Sequence, residues 1–560
     1  MNNTSHRSRR VRLLAPLVLG ALVLAACSSD KTTTSTTAAP STSAGTATTA
    51  TTAASATSTG GTGGTGGTAS PGTTGSSSTP ATSGTSGPAT TGAPSNPSDP
   101  KIVVGAVLEP TSLDLTKQAG AALDAVLLDN IYETLLKVDK DGKILPGLAQ
   151  LPTFSSDRAT MTLKLQTGVT FSDGKAFTSA DAKYSLDTFR ATGNQGATAL
   201  KSVKDVTAPD ASTIVFTLSA ADNDLPFSLT RRYGAVLEAN APNLQNTAVG
   251  TGPFTFTKWN VGSSIQMTRN ESYWGTKPKI SGATFQYFTD PNAAINALTT
   301  GDVDILTGGR SELVAPLQDN PAFTVTQGTT NGEFTLGFNN SRPFFSDVKV
   351  RKAIRQGIDN QGFLDLNSGF GTLIGGPIPP TDPWYEDLTG IAPYDKAAAK
   401  KVIDDAGLAG TKLDFEYPNI YPETYADYIK SQLAEIDITV DITPIEFSVW
   451  LDKVFTKGDY DLTVVNHVEP HDIGNYANKD YYWHYDSPTV QKLIADAKTA
   501  PTEDARVSLL KQAAKQISED SPADWIFLAS DLTVAKKNIT GYPTNDSASR
   551  FPVAGVVVGS

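Results

Sequence analysis

The body of this 560-residue chain is predicted to be an α/β protein, and three observations carry that expectation. Beyond residue 100, short apolar runs with strand spacing alternate with stretches whose apolar residues recur at helical spacing. The body is long, about 460 residues, a length with a soft prior near three domains. Over 396–465 the order is helix, strand, helix, strand, helix, strand. That order suggests a βαβ lobe with right-handed crossovers, whose ligands bind beyond the carboxyl ends of the strands.

The elements run as follows. Residues 102–108 read as a first buried strand, and Glu109-Pro110-Thr111-Ser112-Leu113-Asp114 as a proline-marked loop. Across 121–136, Leu123, Val126, Leu127, Ile131, Leu135 and Leu136 share one side of a predicted helix. From Met161 a strand with alternating faces enters the tight Asp173-Gly174 turn, then a helix capped by Thr178 with Asp181 three residues on. Gly252-Pro253 is expected to fix a turn between strands, Asp304 to end a strand, and Arg351 to lie near a helix start beside a carboxylate. Then come helix 396–406, strand 412–416, helix 421–435, strand 438–442, helix 447–455 and strand 461–465. Helices 489–498 and 503–518 follow, and strands 524–529 and 532–534 return to the first domain.

The leader has its own logic. Arg7, Arg9, Arg10 and Arg12 precede an apolar run over 13–26. That run is shorter than the about 20 residues of a spanning helix and reads as the core of an export signal. It ends in Leu24-Ala25-Ala26-Cys27, which resembles the lipobox of bacterial lipoproteins. The resemblance implies that Cys27 takes a diacylglyceryl thioether and becomes the mature N-terminus; an ordinary secretory signal with an incidental cysteine is the alternative. Cys27 is the only cysteine, so no internal disulfide can form. Residues 28–100 are nearly all Ser, Thr, Ala, Gly and Pro, with only Asp30, Lys31 and Asp99 charged. Such a segment buries too little apolar surface to offset its ordering entropy and is expected to act as a disordered tether. As a flexible chain it would span about 45 to 50 Å. The formal charge is −12, and loss of the four leader arginines leaves −16. So acidic a chain argues against nucleic acid or anionic lipid as its main partner.

The stretch from Met161 to Leu186 is physically a folding unit, but as a string it resembles the signature of the family 5 extracellular solute-binding proteins, which serve ABC importers of peptides, nickel and related solutes. The likeness recurs in order. Tyr132-Glu133-Thr134-Leu135-Leu136 with Leu145-Pro146-Gly147-Leu148-Ala149 looks like the opening block. Gly250-Thr251-Gly252-Pro253-Phe254, with Trp259, Arg269-Asn270 and Tyr273-Trp274-Gly275, looks like the central one. Gly301-Asp302-Val303-Asp304-Ile305, then Phe338-Asn339 through Asp347 and Arg351 to Ile358-Asp359, then Tyr394-Asp395 through Gly407 complete it. The resemblance implies a two-lobed, periplasmic-binding-protein-like fold (type II, cluster C) with an extra small domain inserted in the first lobe. The expected boundaries are 1–26 for the signal, 27–100 for the lipidated cysteine and linker, 101–148, 245–335 and 525–560 for lobe I, 149–244 for the inserted domain, and 336–524 for lobe II.

The ligand is expected at 459–485, which opens as a strand and becomes a string of polar, acidic and aromatic groups. Asn466, His467, Glu469, His471, Asp472, Tyr482 and Trp483 are the candidates there. In the peptide-binding members, a tryptophan and then an acid near Pro-Asp-Pro follow the corresponding strand, and the acid pairs with the peptide amino group. Here Asn466-His467-Val468-Glu469-Pro470-His471-Asp472 stands instead, which puts ordinary peptide specificity in doubt. Glu469 or Asp472 could still meet a cationic head group, or be solvated loop acids. Tyr482 and Trp483 could stack on ligand or pack beneath the lobe. His467, Glu469 and His471 invite a metal reading, although Pro470 rules out a zinc-helix spacing, and no metal ligand is assigned. From the first lobe, the family's opening strand and loop imply Glu109, Thr111, Asn130 and Tyr132 as further contacts.

No nucleophile elbow, phosphate-cradling loop or zinc helix occurs, so catalysis and cofactors are not expected. The expected protein is a monomeric, lipid-anchored receptor on the outer face of the cytoplasmic membrane. It would bind an oligopeptide-like or related solute and deliver it to ABC permease subunits, with no role in nucleic-acid binding. A metal or metal-chelate receptor and a secreted hydrolase are the alternatives.

Overall fold

The computed structural model describes residues 99–560 except 118, 119, 195, 240, 546–548 and 560. The predicted leader, Cys27 and the linker up to residue 98 lie outside the described residues.

Ten strands form one sheet: β1 (Lys101–Ala106), β2 (Phe254–Asn260), β3 (Ser264–Arg269), β4 (Gly282–Tyr287), β5 (Ile305–Leu306), β6 (Phe323–Phe338), β7 (Lys412–Pro418), β8 (Thr439–Ile445), β9 (Leu462–His467) and β10 (Ala523–Lys536). Their order across the sheet is β8-β7-β9-β6-β10-β5-β1-β4-β3-β2. At one end β8, β7 and β9 are parallel, the arrangement that strand-helix alternation over 396–465 requires. At the other end β5, β1 and β4 are parallel, and the β2–β3 hairpin closes the edge. Between them stand β6 and β10, 16 and 14 residues long and paired antiparallel along most of their length. The fold is thus two α/β lobes joined through one long antiparallel pair, with a separate four-stranded sheet (Thr153–Phe154, Thr160–Lys164, Val203–Asp210, Thr213–Leu218) inserted after β1.

The longer helices are α1 (Ser179–Arg190), α2 (Pro291–Thr300), α3 (Val348–Gly357), α4 (Lys396–Asp405), α5 (Glu423–Ala434), α6 (Pro488–Lys498) and α7 (Glu503–Asp520). The start of α1 is the expected capping box: Thr178 Oγ1 accepts from Ala180 N, and the Asp181 carboxylate accepts from Thr178 N at 2.9 Å. The second lobe's core packs Val350, Ile354, Ile429 and Leu433 from α3 and α5 against Leu336, Phe415 and Val464 of the sheet.

Five expectations are corrected. The helix foreseen over 121–136 stops at Leu127. Asn130 Nδ2 donates to the Val126 carbonyl, the acceptor that the Asn130 backbone N–H would need in a continuing helix, and Asp129 turns left-handed at φ 61°. Asp304 begins a strand rather than ending one: its carboxylate accepts from Val103 N and Lys536 Nζ, fastening β5 between β1 and β10. Arg351 donates to the Phe345, Asp520 and Ser521 carbonyls rather than to a carboxylate. The two strands foreseen at 524–534 are the single strand β10, and the end of the 447–455 helix is a wide π-type turn at Leu451–Thr456.

Arg355 of α3 ties the helical layer to β10. Its Nε lies 3.3 Å from Asp524 Oδ1, both side chains are buried, and the guanidinium also reaches the Ser518 and Gly375 carbonyls and lies over the Trp525 ring. Removing one partner strands the other charge in the interior. Asp524→Ala should therefore lower the unfolding free energy by about 3–5 kcal/mol, read as an earlier urea midpoint, and a shift below about 1 kcal/mol would show that water reaches Arg355.

Candidate functional site

β9 is flanked by β7 on one side and β6 on the other, so both of its edges are hydrogen-bonded, and with core side chains packed on both faces Leu462 to Val465 are continuously buried. Its carboxyl end delivers Asn466 and His467. Pro470 cannot donate to a ladder, His471 turns the chain at φ 59°, and a short 3-10 turn, Asp472–Ala477, follows. In register across from His467 stands Glu333 of β6, beside the irregularity where the β6–β10 pairing shifts between Thr329 and Glu333.

Glu333 was not foreseen, and it is the most unusual group in the region. It is 3% exposed, and its carboxylate accepts no hydrogen bond among the described residues. Burial holds its proton affinity well above the usual carboxylate range, and the nearby Asp472 and Asp382 push it further. Asp472 is raised likewise, by burial, then Glu469 and Asp382. Burial pushes Asp382 up to about 8 against the opposing pull of Arg506, and its Oδ2 has no partner. The signal for Glu333 was present in the sequence: an acid inside Gly332-Glu333-Phe334-Thr335-Leu336-Gly337-Phe338, an otherwise apolar or small run that forms a central strand.

The two histidines of this loop go separate ways. His467 is buried and forms a 2.8 Å hydrogen bond between its Nε2 and the Tyr482 hydroxyl, and burial lowers its pKa to about 4. His471 stacks on Phe227 at 3.6 Å, meets the edge of Trp384 and stands 3.6 Å from Asp382. Burial, then Arg506 and Arg231, hold it well below the usual imidazole range, so both rings are neutral. Glu469 is half-buried, and its carboxylate accepts from Val468 N at 3.3 Å. The Asn466 amide oxygen is buried without a partner.

Tyr482 and Trp483 are each 1% exposed and belong to an aromatic core with Tyr460, Tyr476 and Trp525; they brace the loop from behind instead of facing a solute. The four first-lobe candidates do not join the group. Glu109 is engaged by Trp259 Nε1 at 2.7 Å and Gly262 N, and Thr111 is exposed. Asn130 is wholly buried, donating to the Val126 and Phe551 carbonyls and accepting from Val553 N; the buried Tyr132 hydroxyl accepts from Val249 N. The polar atoms of Asn130 and Tyr132 serve the first lobe's own core.

What does reach the loop from the first half of the chain is the segment after Leu218. Asn223 Nδ2 donates to the Ala497 and Ala500 carbonyls at 3.0 Å, Asp224 pairs with Arg506 at 2.6 Å, and Phe227 carries the His471 ring. The resulting site is a cluster of acids, with Glu333 and Asp382 buried and Glu469 and Asp472 half-buried, together with unpaired acceptors and two unpaired indole donors at the carboxyl end of β9, next to the strands that join the lobes. Such a group has little capacity for an anion and a large one for a cation.

Residues 143–487 match the family model described as "Bacterial extracellular solute-binding proteins, family 5 Middle". Protein XP55 of Streptomyces lividans is 30% identical over 318 residues, covering 55% of this chain and 57% of XP55, so the chain spans just over half the length of that relative. The glutathione-binding protein GsiB of Pectobacterium atrosepticum is 26% identical over 481 residues, covering 79% of this chain and 91% of GsiB. Among solved structures, the PBP AgaA from A.tumefacien R10 in complex with agropinic acid superposes with a TM-score of 0.64 at 25% identity, over 82% of this chain and 99% of that one.

The buried His467 generates a pH dependence. An unfolded histidine takes its proton near pH 6.5, whereas folded His467 takes one only near pH 4, so its contribution is intact above 6.5 and is lost as pH falls through that window. At the lower end the loss approaches about 3 kcal/mol. His467→Gln should flatten the acid-side decline of the urea midpoint between pH 6.5 and 4 relative to the unaltered protein; parallel profiles would show that the ring titrates freely.

Proposed function

The chain belongs to the bacterial extracellular solute-binding proteins of family 5, and we propose that it is the extracytoplasmic receptor of an ABC importer, taking an oligopeptide-like or related small solute between two lobes and passing it unaltered to a permease. The observation that carries this reading is the uncompensated acid cluster of Glu333, Asp382 and Asp472 beside the half-buried Glu469, at the carboxyl end of β9. Ligands of open α/β sheets bind at such strand ends. One relative is named for binding glutathione and one solved structure holds agropinic acid, which supports a small solute here as well.

In this reading lobe I comprises 101–148, 245–335 and 525–560, the small inserted domain 149–244, and lobe II 336–524. The solute favours the closed arrangement by touching both lobes, and the closed form docks on the permease. Cys27 carries the lipid, residues 28–100 hold the monomeric body away from the outer face of the cytoplasmic membrane, and no chemistry is done on the solute. The metal version draws no support from the histidines, since His467 is engaged with Tyr482 while His471 lies between Phe227 and Trp384.

Two experiments test the proposal. Thermal shift with peptide, amino-acid, amine and metal libraries should give a ligand-dependent rise in Tm, while prolonged incubation leaves the ligand intact; turnover of the ligand would make the protein a hydrolase. Glu469→Gln or Asp472→Asn should weaken a cationic ligand by more than about tenfold in at least one case, measured by calorimetric titration, and unchanged affinity in both would remove the site from this loop. For the anchor, Cys27→Ser should move the protein from the membrane fraction to the medium.

A further inference from the structure

We propose that Glu333 is the specificity-determining anion of this site, and that the solute it selects brings an amine or guanidinium cation against the strand that joins the lobes. The inference rests on the solute-binding reading and sharpens it to a ligand class.

Glu333 stands in β6 between Gly332 and Phe334, inside the molecule, with no hydrogen bond to its carboxylate among the described residues. A carboxylate so nearly buried has given up most of its hydration while no protein donor bonds to it, and polar groups of that kind call for a partner that arrives from outside. The neighbouring groups supply none. Asp472 and Asp382 are of like charge. The Tyr476 hydroxyl, close enough to feel both Glu333 and Asp472, accepts the Trp525 Nε1 hydrogen and makes no hydrogen bond to Glu333 among the described residues. His467, its cross-strand neighbour, is neutral and joined to Tyr482. Arg506, the cation nearest Asp382, is committed to Asp224 and Glu503.

A second observation is independent of the acids. The Asn466 amide oxygen, on the adjacent strand and beside Gly332, is also buried without a partner, and a side chain at Gly332 would stand 3.1 Å from it. Asp382 Oδ2 is likewise without a partner, and so are the Trp384 and Trp483 indole N–H groups beside His471 and His467. An amine or guanidinium offers three to five N–H donors to the unpaired acceptors, with the charge the acids lack. A neutral sugar supplies donors without charge, and a net anion brings charge of the wrong sign.

Two such carboxylates cannot both ionise cheaply in the empty site, so a cation should displace protons as it binds, and its affinity should fall as pH is lowered. The test uses the full-length protein and three probe pairs: putrescine and diacetylputrescine, lysyl-alanine and its diacetylated form, methylguanidine and methylurea. Calorimetric titration should show at least one cationic member binding tenfold or more tighter than its neutral partner, with proton release read from the dependence of the heat on buffer ionisation. Glu333→Gln should cost that cation at least tenfold, and Glu333→Asp should recover part of the loss.

Melting curves of the ligand-free protein give a readout that a structural role would not produce. Removing an uncompensated buried charge should raise Tm at pH 8, and the gain should shrink toward pH 4.5, where the native carboxylate keeps its proton. A lower Tm for Glu333→Gln at pH 8, a loss of cation affinity under tenfold, or equal binding of charged and neutral partners would overturn the proposal. If all six probes give no heat, mass spectrometry of a solute retained through purification decides: an anionic or uncharged solute sinks the cation class and leaves the receptor reading standing. A protein that retains nothing and binds nothing in the libraries loses the receptor reading, and the Glu333→Gln melting curve then judges the role of Glu333 by itself.

Discussion

The pairing of β6 with β10 is the constraint on which the rest of this structure depends. These are the two strands long enough to run from one lobe into the other, and each bonds to a different neighbour at its two ends. Near Phe323 the pair belongs to the first lobe, where β10 takes β5 as its other partner; near Phe338 it belongs to the second, where β6 takes β9. The ladder is irregular between Thr329 and Phe334, close to its middle. An irregular register bends a strand and loosens its pairing, and Glu333 stands at that irregular place. Arg355, joined to Asp524, and Arg351, joined to the Asp520 and Ser521 carbonyls, fasten α3 to the beginning of β10 and keep the second-lobe end of this pair rigid.

That rigidity explains how the fold can hold an arrangement of charges that disfavours its own folded state. Glu333, Asp382 and Asp472 all have proton affinities raised mainly by burial, and each would be more comfortable in water. The aromatic core behind them, with Tyr476, Tyr482, Trp483 and Trp525 all buried, provides apolar burial on the scale of about 1.5–3 kcal/mol per large side chain. A strained or unsatisfied polar group persists only where its surroundings over-determine it, and this loop is braced in that way. The stacked, hydrogen-bonded ring of His467 belongs to the same bracing, which is why its neutrality matters to stability rather than to ligand charge.

Much of this was legible in the sequence, and the remainder was hidden for physical reasons. Strand-helix alternation over 396–465 predicted the parallel β8-β7-β9 end, because both signals there are local and strong. The loop after β9 was legible as a concentration of polar groups beyond a strand end. Its inner counterpart was not, because Glu333 lies more than 130 positions earlier in the chain and meets His467 only through cross-strand register. Asn130 and Tyr132 misled for the complementary reason: polar atoms next to a family block look available in a sequence, yet here they complete hydrogen bonds inside the first lobe's core. Helical periodicity over 121–136 likewise concealed a side chain that takes the helix's own acceptor.

The contacts that join the segment after Leu218 to the second lobe bear on how a solute could decide between open and closed forms. They are few and mostly polar: Asn223 to two carbonyls, Asp224 to Arg506, and one stacked pair, Phe227 on His471. Asp224 is 45% exposed, so its ion pair is screened by water and worth at most about 1 kcal/mol, as is a single neutral hydrogen bond. The repulsion among Glu333, Asp382 and Asp472 is likewise unrelieved in the empty protein. Under the proposed receptor role, an empty protein therefore gains little by closing. A cation that removes the repulsion tips the balance without any large new surface, because only the difference in affinity between the two forms shifts their populations. The charge imbalance that weakens the empty site is, in this view, what allows a small solute to control it.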